Sequence, residues 1–298
     1  MLYAFFDRHG QLDGRAMARQ IEAGIAAGVD GIAILGLASE VAKLSIDERH
    51  RLLELTAQTV AGRVPLAVTL AGHTPGEQIA FAAAAQTQGA AWVISQPPIG
   101  GTLDEAQLIE FFGRIADAVA LPLAIQNAPS YMGHGLSNTG LTRLAQRHPN
   151  LSIVKWEGPS VQIPGVIEET EGCLAVFNGR GGLELPDNIR AGCAGMIPAS
   201  ETIDLQVRIY QLMKRGTPEA EAQAEQIYAA ILPLMVFLMQ SIDILLCYGK
   251  RLAARRLGIA EVYDRDPCLR PSAVGLSSLD RYSRALGLFR GTMDVVGA

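Results

Sequence analysis

Lysine is scarce in this chain of 298 residues. Of 25 basic residues only four are lysine, namely Lys43, Lys155, Lys214 and Lys250. The acidic residues outnumber the basic ones, giving a net charge of −5. That balance lacks the basic surface a nucleic-acid or anionic-membrane partner demands. Charge of either sign is sparse at 18%, against 49% apolar residues, which excludes a disordered chain and predicts a large core. Long hydrophobic runs are missing too. The longest, residues 227–239, is interrupted by Pro233 and falls short of the roughly 20 residues a membrane helix needs. It reads as a buried or subunit-interface helix. Residues 1–6 are apolar but run straight into Asp7 and Arg8, with no basic start, so they do not read as a signal peptide. Cys173, Cys193, Cys247 and Cys268 form no C-x-x-C, which fits reduced thiols in a cytoplasmic protein. The five histidines form no close pair, so no metal site is expected.

What the chain does have is a rhythm. Short apolar runs recur at 31–35 (GIAIL), 65–70 (PLAVTL), 91–95 (AWVIS), 122–127 (PLAIQN), 151–155 (LSIVK), 173–177 (CLAVF) and 193–198 (CAGMIP). A helical pattern follows each one. The spacing of about 27 residues suits one βα unit. Continuous apolar strands, rather than alternating ones, predict a parallel sheet covered on both faces. Residues 2–6 supply a short first strand, which brings the count to eight and predicts an α/β fold, a (β/α)8 TIM barrel. Ser45 and Glu48 form a capping box for one helix, and Pro75 and Pro159 mark the first turns of two others. Arg215-Gly216-Thr217-Pro218 breaks the chain. The barrel is therefore assigned to residues 1–215, and residues 216–298 to a C-terminal helical region packed on it, with a loop over 264–277.

In such a barrel the chemistry sits at the C-terminal ends of the strands. Lys155 closes a run that is otherwise buried, whereas the other three lysines fall in segments that read as solvated. Desolvation of an amine at a barrel mouth disfavours its charged form and leaves a nucleophile able to form a Schiff base. The competing reading is a lysine that snorkels past the rim or pairs with Glu157. Gly36, Leu37, Ala38 and Ser39 offer backbone N–H groups and a hydroxyl to a carboxylate. They also fit an ordinary turn of small residues. The loop from Gly179 to Gly182 fits a phosphate only weakly, having no G-x-G-x-x-G spacing. Tyr131 is a possible proton carrier; His73 and His134 read as well as loop hydrogen-bonders.

Taken together and in order, these motifs resemble a known family. GLASE at 36–40 followed by KLSIDER at 43–49, NAPSYMG at 127–133, IVKWEG at 153–158, FNGRGGLELP at 177–186 and AGCAGMIP at 191–198 resemble the dihydrodipicolinate synthase and N-acetylneuraminate lyase family. The likeness also includes FDRHGQLD at 6–13 and QPP at 96–98, and runs from about Phe6 to Ser200. It implies a class I lyase acting on 2-oxo acids through Lys155, with no external cofactor and a homotetrameric or homodimeric assembly. It also implies that Gly179 and Ile197 line the pyruvate-like end of the site.

The departures from the family bear on the substrate. Leu37 and Ala38 stand where the family has two threonines. Gln126 replaces the family's proton-relaying tyrosine, and an amide can orient but not shuttle a proton. Tyr131 aligns with the synthase's arginine, and Ile99 or Gly100 with its tyrosine lent to a neighbouring subunit. These changes count against synthase and neuraminate lyase activity. Gln126-Asn127-Ala128-Pro129 and Ser39-Glu40 are more similar to the L-2-keto-3-deoxyarabonate dehydratase branch. The resulting expectation is dehydration of a 2-keto-3-deoxy sugar acid. Lys155, Gln126 and Tyr131 are its catalytic group, and Gly36, Leu37, Ala38, Ser39, Glu157, Gly179 and Ile197 surround the substrate. The proton carrier is left open among Tyr131, Glu157, Ser39 and a water held by Gln126. A pyruvate-dependent aldolase, a non-catalytic 2-oxo acid binder and a phosphate-binding barrel are the alternatives.

Overall fold

The computed structural model describes residues 1–98 and 103–289. The described strands form one parallel sheet in strict sequence order: β1 (Ile32–Ile34), β2 (Leu66–Leu70), β3 (Trp92–Ser95), β4 (Leu123–Asn127), β5 (Leu151–Trp156), β6 (Ala175–Asn178) and β7 (Gly195–Met196). Helix α1 (Gly14–Ala27) precedes β1. The crossovers then carry α2 (Ile46–Val60), α3 (Pro75–Thr87), α4 (Glu105–Ala118), the short α5 (Pro129–Met132) with α6 (Asn138–Arg147), α7 (Ile163–Glu169) and α8 (Leu185–Arg190). Helix α9 (Ile203–Arg215) follows β7.

The sheet is curled, and its two faces do different work. Side chains alternate along a strand. Ile34, Val68, Val93, Ile125 and Val154 face outward into the main core shared with the helices. Ala33, Ala67, Ile94, Ala124 and Ile197 form a separate inner cluster, joined by Ile153 and Phe177. An inner face that packs on itself is the arrangement of a TIM-barrel-like fold.

The expected eighth strand is not formed as such. Residues 2–6 are buried but make single contacts rather than a ladder. Leu2 N–H donates to Ala33 O at 2.9 Å, and the Met1 amine donates to Pro198 O at 2.7 Å, so these residues lie in the seam between β7 and β1. Phe6 forms isolated bridges to Leu12 and Tyr263 instead. A strand exists only through repeated pairing with a neighbour, and the two-residue β7 offers little to pair with.

Local signals set most helix ends. Ser45 and Glu48 make both bonds of the capping box on α2. Thr74 and Glu77 do the same for α3, with Pro75 in its first turn. Pro159 departs from expectation: its ψ of 148° is extended, and it precedes a 3₁₀ turn (Ser160–Gln162), so α7 begins only at Ile163. At the chain break Gly216 is left-handed, Thr217 caps and Pro218 opens α10 (Pro218–Leu238). Then come α11 (Ile242–Ile244), a π turn (Leu245–Gly249), α12 (Lys250–Arg256) and α13 (Ala273–Ser283). The loop expected over 264–277 is thus shorter, because Ser272 caps α13 by accepting from Gly275 N. Among the described residues no single helix is long and apolar enough to cross a membrane. Helix α10 buries Ile231, Leu234, Met235 and Leu238, and the main core runs unbroken from the sheet through Leu234, Leu245 and Leu252 to Leu279.

Lys250 overturns the expectation of a solvated side chain. It is 1% exposed and ion-paired to Glu40 Oε1, while Lys43 holds the other oxygen of that carboxylate at 2.6 Å. The helical pattern around Lys250 carries no sign of a partner 210 positions earlier.

Candidate active site

The C-terminal ends of β4 and β5 bring two of the predicted catalytic residues, Gln126 and Lys155, together. Gln126 and Lys155 are register partners on adjacent strands, and both point into the curled sheet one layer above Ala124 and Ile153. Lys155 is 4% exposed. Glu157 lies just beyond β5, its N–H still bonded to Asn127 O at 3.1 Å. That bond turns the Glu157 carboxylate onto the amine: Oε1 accepts from Lys155 Nζ and, at 3.2 Å, from Gln126 Nε2. Lys155 therefore is paired with Glu157, and the pair stands inside the barrel mouth rather than at its rim.

Gly179 explains why this carboxylate fits. A Cβ there would come within 2.6 Å of Glu157 Oε1, so the bare glycine after β6 leaves the space this carboxylate occupies. The next residue, Arg180, donates to Glu184 Oε2 at 2.6 Å. Tyr131, on α5, faces the same region. Burial first, and then the Glu157 carboxylate, push its phenol above the ordinary value, against the opposing pull of a hydrogen bond with Arg180. The phenol therefore carries its proton at neutral pH.

The loop after β1 is held in an unusual shape. Leu35 (φ 63°) and Glu40 (φ 52°) are left-handed although neither is glycine, and a 3₁₀ turn (Leu37–Ser39) lies between them. Such backbone persists only where its surroundings hold it. Ser39 does the holding: its hydroxyl accepts from Leu35 N–H at 3.0 Å and donates to Leu2 O at 2.6 Å. The Ser39 side chain is thus bonded to the backbone, and the Glu40 carboxylate is taken up by Lys250 and Lys43. Ala38 packs into the main core. Met1 lies against Gly36, with its sulfur 3.6 Å from Ser39 Oγ. Ile197 sits on the inner cluster, its N–H bonded to Asn178 O at 2.8 Å. Ile99 and Gly100 lie outside the described residues.

Two polar residues of this mouth were not singled out from sequence. Thr69 on β2 lies two residues above inward-facing Ala67, and its Oγ1 is 3.6 Å from where a Gly36 Cβ would be. Gln96 follows β3. Thr69 Oγ1, Gln96 Oε1 and Gln126 Oε1 are buried without a hydrogen-bond partner among the described residues. Ser95 closes the apolar run 91–95, and Gln96 stands one residue beyond it, so the signal that marked Lys155 was weaker at Gln96. Among the described residues no group of three or more His, Cys, Asp or Glu side chains is placed to hold a metal ion.

The model of the dihydrodipicolinate synthetase family matches residues 1–279. The chain belongs to this family. Its members are lyases. Over 153 residues the chain is 37% identical to the L-2-keto-3-deoxyarabonate dehydratase of Azospirillum brasilense, a match covering 50% of this chain and 49% of that one. The alignment thus spans about half the length of this relative. The chain is also 30% identical over 207 residues to YagE of Escherichia coli K12, a candidate 2-dehydro-3-deoxy-D-gluconate aldolase, with 68% of each chain covered. Among solved structures, dihydrodipicolinate synthase from Aquifex aeolicus superposes with a TM-score of 0.87 at 22% identity over 95% of both chains. YagE in complex with pyruvate gives 0.85 at 22% identity, again over 95% of both chains. At these identities the structural likeness speaks for the fold.

Proposed function

We propose that this protein is a Schiff-base lyase that dehydrates a 2-keto-3-deoxy sugar acid. The observation that carries this reading is the buried Glu157 carboxylate bonded to both Lys155 Nζ and Gln126 Nε2. An ammonium must lose a proton before it can attack a ketone, and Glu157 is the adjoining acceptor. The free amine adds to C2 of the substrate. The carbinolamine then expels its hydroxyl as water, leaving an iminium. The iminium acidifies C3, and transfer of a C3 proton to Glu157 gives the enamine. The enamine electrons then expel the C4 hydroxyl, which leaves as water with a proton from Glu157 or the Tyr131 phenol. Hydrolysis of the product iminium frees Lys155.

Gln126 fits this course better than a proton-relaying tyrosine would. Breaking the C3–C4 bond requires a base on the C4 hydroxyl, and a neutral amide is no base. Expelling that hydroxyl requires an acid, which Glu157 becomes once it has taken a proton. The C1 carboxylate is held by the amides of Leu37 and Ala38, the first of the turn that Gly36 opens, and Gly179 and Ile197 border the pyruvate-like end. Ser39 supports this loop through its backbone bonds rather than by touching the carboxylate. The similarity to YagE favours aldol cleavage as the second reading.

The test is borohydride trapping followed by product analysis. Pyruvate or a 2-keto-3-deoxy pentonate, reduced on the enzyme, is expected to leave a mass adduct on Lys155. Turnover is expected to retain the substrate's carbon skeleton with loss of one water. Release of pyruvate would make the enzyme an aldolase, and no adduct with any 2-oxo acid would overturn the Schiff-base reading. Glu157→Gln is expected to lower kcat by about 10²- to 10³-fold, the scale of a lost general acid–base group.

A further inference from the structure

Gln96 is a buried amide with no evident occupation. Its backbone is fixed from both sides. Its N–H donates to Leu70 O at 3.2 Å, extending the β2–β3 ladder past β3, and its carbonyl accepts from Gln78 Nε2 at 2.7 Å. Gln78 is held in turn by Ser95 Oγ, which donates to its Oε1 at 2.7 Å. Ile94, two positions earlier, belongs to the inner cluster, so alternation turns Gln96 into the barrel, in the layer of Gln126 and Lys155.

The side chain is 0% exposed, and its Oε1 has no hydrogen-bond partner among the described residues. Nε2 reaches only the Met132 sulfur at 4.0 Å, a weak acceptor at long range. Native proteins leave few buried polar groups unmatched, and each calls for an explanation. On the next strand Gln126 Oε1 is unmatched as well. Two inward-facing amide oxygens beside the reactive amine would repel a carboxylate or a phosphate. They suit a hydroxyl, which donates to an amide oxygen and accepts from an amide nitrogen.

We propose that Gln96 is a specificity-determining residue whose amide hydrogen-bonds a hydroxyl of the substrate chain beyond C3. The assignment rests on the reading of Lys155 as the Schiff-base residue. It makes the site selective for hydroxylated 2-oxo acids over pyruvate. A buried group built to meet a hydroxyl is left unpaired by any ligand that lacks one, and that is a strong source of discrimination. Gln96 takes no part in the amine chemistry, so pyruvate capture does not depend on it.

The experiment compares wild type with Gln96→Met and Gln96→Leu in two assays: kcat/KM for a 2-keto-3-deoxy sugar acid, and the rate of borohydride trapping of pyruvate on Lys155. The expected result is a fall of about tenfold or more in the first, with pyruvate trapping within twofold of wild type and a Tm that is unchanged or raised. A fall in both assays together would show a structural role and overturn the proposal. An unchanged kcat/KM for the hydroxylated acid would overturn it as well. If wild type traps no 2-oxo acid, the Lys155 reading fails and takes this one with it. Trapping without loss of discrimination overturns this one alone.

Discussion

At the scale of single residues, the site depends on the room one glycine leaves for a carboxylate. Gly179 is needed for the space its missing Cβ leaves to Glu157. Gly179→Ala is therefore expected to push the carboxylate off Lys155 and Gln126 and to lower kcat by about 100-fold, the scale of an ångström's misplacement. Steady-state kinetics beside a thermal melt would check it, since Tm should move little. Lys155 was legible because an amine ending the run LSIVK is chemically out of place. The work of Ser39 was not legible. Its hydroxyl invites a ligand in any sequence reading, but the backbone of Leu35 and Leu2 already uses it. Gln96 was legible in principle, yet an amide at a strand end is common, and only its lack of a partner sets it apart.

At the scale of elements, strands and caps follow from local pattern. The apolar runs became β1 to β7 because each is too short for a helix and is covered on both faces. Caps are equally local, as the complete box on α2 shows. The loop after β1 is different, since its left-handed Leu35 and Glu40 are sustained from outside. Ser39→Ala is expected to leave the Leu35 amide and the Leu2 carbonyl unmatched and to destabilise the protein by about 1–3 kcal/mol. Urea titration would measure this, and a rise in KM for the 2-oxo acid should accompany it. Residues 2–6 were misjudged as a strand because strand formation depends on the partner offered, here the short β7.

At the scale of the whole molecule, the C-terminal helices are tied to the loop after β1 by a buried ion cluster. Glu40 ends that loop and pairs with Lys250 on α12, and Asp264 lies between Lys250 (3.9 Å) and Arg251 (2.6 Å). Removing one member of a buried pair leaves an uncompensated charge, whereas removing both is far milder. Because Lys43 still holds the other Glu40 oxygen at 2.6 Å, Lys250→Met is expected to cost less than the about 3–5 kcal/mol of a fully unpaired buried charge, and Glu40→Gln combined with it to recover part of that loss. A double-mutant cycle in denaturant checks both figures. If the two losses simply add, the pair does not act as a unit.

The sequence by itself determined the strand order, the capping box on α2, the place of Lys155 at the end of β5 and the family, because each is written in short-range pattern or in motifs kept in order. Only the tertiary structure decided that Glu157 reaches Lys155, that Lys250 is buried on Glu40, and that Gln96 has no partner. These facts depend on side chains from distant stretches of chain meeting in a closed space. A pattern of spacing along the chain carries no record of which polar groups meet there and which are left unmatched.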